Sequence, residues 1–167
     1  MEITLENFRE QANAHGICEM ANDWDKAKSK KQLMDLALSI RGIEYISKAI
    51  SEGWGISPNQ ICQEFSAFNN GKYTYDNGKY TTALYCSEKS VENDVDLIFA
   101  EQTALLLVNY VGDIYIPTNH ICEIYAVNSK FYLFGDGCTR IHSYGSTKVC
   151  NKQDTPTKII KMYEQRI

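Results

Sequence analysis

Residues 121–146, ICEIYAVNSKFYLFGDGCTRIHSYGS, decide the fold that the sequence predicts. Short apolar runs alternate here with turns of similar composition: VNS at 127–129, FGD at 134–136 and YGS at 144–146. Each turn has a large residue before Gly or Asn and a small polar residue after it. Short strands that close on such corners are typical of a small β-solenoid, in which each rung needs its neighbours to complete a core. An ordinary antiparallel meander is the alternative.

The pattern changes on both sides of this stretch. The pentapeptide NGKYT occurs at 70–74 and again at 77–81. An Asn-Gly pair between two Tyr/Thr-rich runs predicts a β-hairpin. We expect residues 87–96 to form a polar, acidic loop, and residues 155–167 to form a terminal cap, either a short helix or a strand.

Residues 1–68 have the apolar spacing of several short helices. Ser29 is placed to cap one of them, Gly42 to break or kink the chain, and Ser57-Pro58 to begin the last helix. The sequence therefore predicts an α+β fold. A compact helical bundle over 1–68 is followed, over 69–167, by a β-hairpin and a small β-solenoid-like repeat region with a terminal cap.

The composition is that of a folded chain without export or membrane signals. The 167 residues carry a formal net charge of −4 and are 44% hydrophobic. This mild acidity argues against strong intrinsic nucleic-acid binding, and no apolar run is long enough to span a bilayer. Residues 1–6, MEITLE, lack the basic region of a secretory signal. We expect a cytoplasmic protein whose 6 cysteines, none in C-x-x-C spacing, stay reduced.

One pair of residues is a candidate for catalysis. His120 and Cys122 are two positions apart, so a strand would place both on one face, and an imidazole can activate a thiol. Nothing in the sequence marks an oxyanion hole or an orienting acid beside them. We therefore predict no catalytic residues, no cofactor and no metal site, with an atypical thiol hydrolase as an alternative.

Tyrosine is the most informative residue type in the composition. The chain has 11 tyrosines, and most lie in the predicted β region. Tyrosine is favoured at binding surfaces because it supplies a large contact area at low entropic cost, although it also suits half-buried strands. We predict a partner-binding site formed by the hairpin and the acidic loop: Tyr73, Tyr75, Tyr80, Glu92, Asp94 and Asp96.

A further pattern combines GWGISP at 53–58, FNNGKY at 68–73, ALYC at 83–86 and YGSTKV at 144–149. The combination resembles a group of small proteins from gut-bacterial phages and mobile elements, over most of the chain. The irregular GDGC at 135–138 leaves the number of rungs open. The resemblance implies a bacterial host cell as the setting and brings no assigned reaction.

These observations together predict a non-enzymatic protein-binding module. Small phage proteins without enzymatic motifs often bind and block a host complex, so the resemblance implies an inhibitor of a host defence complex such as a CRISPR-Cas nuclease. The expected partner is a host protein or a protein–nucleic-acid complex, and no membrane is involved. A structural, self-assembling phage protein is the main alternative, which leaves a homo-oligomer open.

Overall fold

The computed structural model describes residues 10, 14, 26–54, 57–68, 74–76, 80–95, 101–152 and 159–165. For residues 86–95 and 159–165 we describe the backbone alone. Three helices lie within these ranges: α1 (Lys30–Ala37), α2 (Ile40–Ser51) and α3 (Pro58–Phe68). The strands are β1 (Thr74–Asp76), β2 (Thr81–Val95), β3 (Gln102–Ile116), β4 (Ile121–Val127), β5 (Lys130–Gly135), β6 (Cys138–Tyr144), β7 (Lys148–Asn151) and β8 (Ile159–Gln165).

The described strands form one eight-stranded sheet, and every pairing except β1 with β2 is parallel. The long strands β2 and β3 pair with each other along both of their halves. The first half of β3 then continues to β4, β6 and β8, and its second half continues to β5 and β7. We call these two series the first stack and the second stack. The sheet is nearly closed and barrel-like.

The chain turns from the first stack to the second at residues in the left-handed backbone region. Asn109 has φ 53°, Asn128 has φ 48° and Gly145 has φ 63°. Asn and Gly are the residues that adopt this region at the lowest cost. The Asn128 side-chain oxygen accepts a hydrogen bond from the Ser146 N–H at 3.0 Å, which joins two of these corners. Gly135, at φ 88°, ends β5 in the second stack, so the FGD turn is not equivalent to VNS and YGS.

The inner core lies between the two stacks and contains apolar side chains from both. Alternate residues of each strand point inward, as the period of two requires. Phe131 and Leu133 of β5, for example, are 1% and 0% exposed. The buried members are Ala83, Leu105, Leu107, Tyr110, Ile114, Ile116, Cys122, Ile124, Ala126, Phe131, Leu133 and Ile141.

The outer core lies between the helices and the opposite face of the first stack. Helix α2 is amphipathic and buries Ile43, Ile46 and Ala49 in this core. Leu106 and Tyr125 belong to the same core from the strand side. The helices therefore cover one face of the sheet and share its core, rather than forming a core of their own.

The helix boundaries follow local capping chemistry. The Ser29 side chain accepts from the Gln32 N–H at the start of α1, and the Ser57 side chain accepts a hydrogen bond at the start of α3. Both caps confirm predictions from the sequence. The predicted break at Gly42 is wrong, because the chain breaks earlier, at Ser39, which caps α2. Gly42 lies inside α2, where a side chain would meet the Leu36 carbonyl oxygen at 2.2 Å.

The fold class predicted from the sequence is wrong. The α+β architecture, a separate helical bundle followed by a hairpin and a small solenoid-like repeat region, is replaced by a mostly parallel sheet with a few short helices. The local antiparallel pairing that the Asn-Gly signal predicted is confirmed, because β1 pairs with β2 in that direction. The antiparallel meander is also wrong, because the successive strands pair in parallel. Periodicity locates helices and strands, but it does not say which faces meet, and here the apolar helix faces meet the sheet.

Two local predictions also need correction. The expected acidic loop over 87–96 belongs to β2 as far as Val95, since its backbone pairs with β3 after a register shift between Cys86 and Val91. Within the terminal segment, the alternative of a strand is the observed one, because β8 pairs in parallel with β6.

Candidate functional site

The second stack has an exposed cluster of aromatic side chains, which we call the aromatic face: Tyr115, Tyr132 and Phe134. Their side chains are 46%, 40% and 36% exposed. Tyr132 and Phe134 alternate with buried residues on β5, so both point outward. Tyr115 lies directly opposite Phe134 on β3. The three rings therefore occupy adjacent positions on one surface.

The sequence of β5 explains why this surface forms. In KFYLFG, at 130–135, the inward positions are Phe131 and Leu133, which fill the inner core. The outward positions of a half-buried strand ordinarily carry polar side chains, because nothing covers them. Here both central outward positions are aromatic, although the inner core does not need them. Such residues on an exposed surface indicate a contact site.

The aromatic face is bordered by charged side chains of both signs. Lys130 and Lys148 are exposed and lie opposite each other on β5 and β7. Asp113 is exposed and lies opposite Tyr132 on β3. On the other side of Tyr132, in β7, the register places the exposed Cys150. An apolar centre with a charged rim is the usual anatomy of a protein–protein interface.

The predicted tyrosines are not part of this face. Tyr73 lies outside the described residues, and Tyr75 lies on β1, opposite Thr82 of β2. Tyr80 is partly buried and packs against the outer core. Its hydroxyl accepts a hydrogen bond from the Ile40 N–H at 2.8 Å, at the start of α2. Tyr80 therefore supports the packing of α2 on the sheet, and its role in partner binding stays a prediction.

The predicted acidic residues lie closer to the aromatic face. In the register of β2 with β3, Glu92 is opposite Val111 and Asp94 is opposite Asp113. Asp94 thus occupies the same row of the second stack as Tyr132, while Asp96 lies outside the described residues. The aromatic face was not predicted from the sequence, although the alternation in β5 was a usable signal for it.

A second polar cluster lies on the outer face of the first stack, where Glu123, Tyr125 and His142 meet. The His142 Nε2 lies 2.8 Å from the Glu123 Oε1. The Tyr125 ring stacks on the imidazole with centroids 4.2 Å apart and planes 6° apart, and its hydroxyl donates to the same carboxylate oxygen at 3.4 Å. The hydrogen bond with His142 lowers the pKa of Glu123, and electrostatic attraction to His142 and Arg140 acts in the same direction, against the effect of burial. The carboxylate is therefore ionised at neutral pH.

The geometry does not support Cys122 as a nucleophile. The thiol is fully buried in the inner core, and burial raises its pKa, with the nearby charge of Glu123 acting in the same direction. A reactive cysteine needs access and a lowered pKa. His120 precedes β4 in a turn, where its Nδ1 lies 3.0 Å from the Thr118 carbonyl oxygen. The shared strand face that the sequence suggested for His120 and Cys122 is absent.

The described ranges contain three free thiols, those of Cys122, Cys138 and Cys150. No group of three or more His, Cys, Asp or Glu side chains in these ranges is arranged to hold a metal ion. None of the described helices has the length and apolar character that crossing a bilayer requires.

Comparisons with family models, curated proteins and solved structures find no match to this chain.

Proposed function

We propose that the chain is a non-enzymatic protein-binding module that holds its partner on the aromatic face. The observation that carries the proposal is the exposure of Tyr115, Tyr132 and Phe134, at 46%, 40% and 36%, on two adjacent strands. With about 200 Å² for a whole aromatic side chain, these fractions leave roughly 250 Å² of ring surface in contact with water. Burying that area under a partner is worth about 6 kcal/mol before the costs of association, at about 25 cal/mol per Å².

A protein fits this surface better than a nucleic acid does. The bases of a nucleic acid can also stack on exposed aromatic rings of a sheet, but such a site needs positive charge along the phosphate backbone. Asp113 lies beside Tyr132, and the whole chain has a formal net charge of −4. Lys130 and Lys148 supply positive charge at one border only. The mixed rim instead suits a protein surface with an apolar depression and charges of both signs.

The proposed partner is a host defence complex in a bacterial cell. The resemblance to small proteins of phages and mobile elements supports a bacterial host cell, and it supports a host defence complex, such as a CRISPR-Cas nuclease, as the partner. A rigid parallel sheet suits a blocking role, because a preorganised surface loses little conformational entropy when it binds.

The proposal is tested by affinity capture with matched variants. Wild-type protein, a Tyr132→Ser/Phe134→Ser double variant and an Ile121→Ser control are each immobilised and exposed to lysates of gut bacteria. Ile121 is 48% exposed but lies on the first stack, so the control removes a similar apolar side chain from a different surface. We expect wild type and the control to retain one stoichiometric partner, and the double variant to lose it.

Two further measurements make the result specific. The captured partner should protect Cys150, which neighbours Tyr132, from alkylation in wild-type protein. Sedimentation of wild-type protein alone tests the self-assembly alternative, and a single-stranded oligonucleotide tests nucleic-acid binding. Retention of the partner by the double variant would refute the proposal. So would a homo-oligomer, or an oligonucleotide complex, that the two serine substitutions abolish.

A further inference from the structure

A groove opens on the outer face of the first stack, beside the start of α2. Its volume is about 220 Å³. The apolar part of its wall includes Ile40, Ala104 and Ile121, and the polar part includes Gln102, Glu123 and Arg140. The groove lies on the opposite side of the sheet from the inner core, on a different stack from the aromatic face, and the proposed function does not use it.

The groove presents two opposite charges that attract each other but make no direct ion pair. Glu123 and Arg140 lie directly opposite on β4 and β6. The short contact of Glu123 is made with His142, at 2.8 Å, and the Tyr125 hydroxyl donates to the same oxygen, Oε1. Among the described residues, Arg140 makes no hydrogen bond or ion pair. Within the same described part of the chain, both hydrogen bonds of the Glu123 carboxylate go to Oε1, so Oε2 can accept from a ligand.

The packing of the cluster explains why the two charges stay separate. The Tyr125 ring stacks on His142, which fixes the imidazole next to the carboxylate. Glu123 is 21% exposed and is held on the His142 side, whereas Arg140 is exposed and lines the groove. The groove therefore contains an anion-binding guanidinium, a cation-binding carboxylate and apolar side chains in the same lining.

We propose that this groove binds a free α-amino acid with a small aliphatic side chain. Arg140 pairs with the ligand's carboxylate, the Oε2 atom of Glu123 accepts a hydrogen bond from its ammonium group, and Ile40, Ala104 and Ile121 contact its side chain. A guanidinium matches a carboxylate in a bidentate geometry, which an ammonium group does not. The volume is below the range of pockets that hold drug-sized molecules, so it limits the ligand to this size.

The test is isothermal titration of the full chain with L-leucine and three relatives, each lacking one recognised group. Leucinamide lacks the carboxylate, 4-methylpentanoate lacks the ammonium group, and glycine lacks the side chain. We expect saturable binding of leucine with a Kd of about 1 mM or tighter. Each relative should bind at least about tenfold more weakly, because a charged hydrogen bond or the apolar contact is lost.

Matched variants assign the binding to this groove. Arg140→Gln and Glu123→Gln should each weaken leucine binding about tenfold or more, while Lys152→Gln, which removes an exposed cation after β7 of the other stack, should leave it unchanged. Thermal melting shows whether each variant is folded. The comparison of leucine with its three relatives uses wild-type protein alone, so it tests the inference even if a variant does not fold. Absence of saturable binding, equal affinity for leucine and leucinamide, or full affinity in Arg140→Gln would overturn the inference.

Discussion

Alanine substitutions at Gly53 and Gly145 separate the two costs of replacing a glycine in the left-handed region. Gly53, after α2, has φ 70°, and a Cβ added there would meet nothing within 4 Å. Gly145, at the corner after β6, has φ 63°, and its Cβ would lie 2.1 Å from the Asn128 side-chain oxygen. The two positions therefore share the backbone strain, and only Gly145 adds a steric conflict.

The magnitudes follow from these contacts. A left-handed conformation costs an L-residue roughly 1–2 kcal/mol, so Gly53→Ala should lower the free energy of unfolding by about that amount. Gly145→Ala should cost the same and about 1 kcal/mol or more in addition, because the displaced Asn128 side chain loses the 3.0 Å hydrogen bond that it accepts from the Ser146 N–H. The expected total for Gly145→Ala is about 2–3 kcal/mol.

The assay is urea unfolding at equilibrium, followed by far-ultraviolet circular dichroism. A double-mutant cycle with Asn128→Gly isolates the conflict, because glycine has no side chain to displace and tolerates the φ of 48°. In that background the extra cost of Gly145→Ala should disappear, leaving only the backbone strain. Equal costs at Gly53 and Gly145, or an unchanged cost of Gly145→Ala in the Asn128→Gly background, would refute the reasoning.

Three other substitutions test the cores and the polar cluster. Thr139→Val should raise the free energy of unfolding, measured with urea, by up to about 1 kcal/mol, because the buried Thr139 hydroxyl has no hydrogen-bond partner. A clear loss of stability would contradict this. Tyr80→Phe should lower the unfolding free energy by about 1 kcal/mol by leaving the Ile40 N–H without its acceptor, and an unchanged midpoint would count against it. The pKa of Glu123 is lowered in the folded state by its hydrogen bond with His142. The ionised carboxylate therefore contributes to folding stability above the unfolded pKa, and this contribution is lost as pH falls through the folded pKa. Thermal melting from about pH 6 to pH 3 should therefore show a shallower loss of stability in Glu123→Gln than in wild-type protein, and parallel curves would contradict it.

Part of the fold was predictable because its signals are local. Ser29 and Ser57 cap helices through hydrogen bonds to residues three positions ahead, so the residue type and its place in the chain are enough to predict them. The turns at Asn128 and Gly145 were predictable for a similar reason, since few residues adopt a positive φ. The different role of the FGD turn was not predictable. Gly135 has a positive φ like Gly145, but it ends a strand of the second stack and does not connect the two stacks.

The candidate sites depended more strongly on contacts distant in sequence. Alternation alone indicates that Tyr132 and Phe134 point away from Phe131 and Leu133. It does not show that Tyr115 joins them, because that requires the parallel register of β3 with β5. The spacing of His120 and Cys122 in the sequence indicated a thiol nucleophile with a nearby base, but the structure buries that thiol.

The sequence by itself determined where most strands lie, which residues cap the helices and which residues turn the corners. The tertiary structure decided that the strands pair in parallel, that the helices cover the first stack, and that Glu123 pairs with His142, 19 positions away, instead of with the arginine opposite it. The reason is that apolar alternation is the same in a parallel and an antiparallel strand, and a backbone edge can pair in either direction. Only the packing of the whole chain, which must bury both faces of the first stack at once, selects one of these pairings.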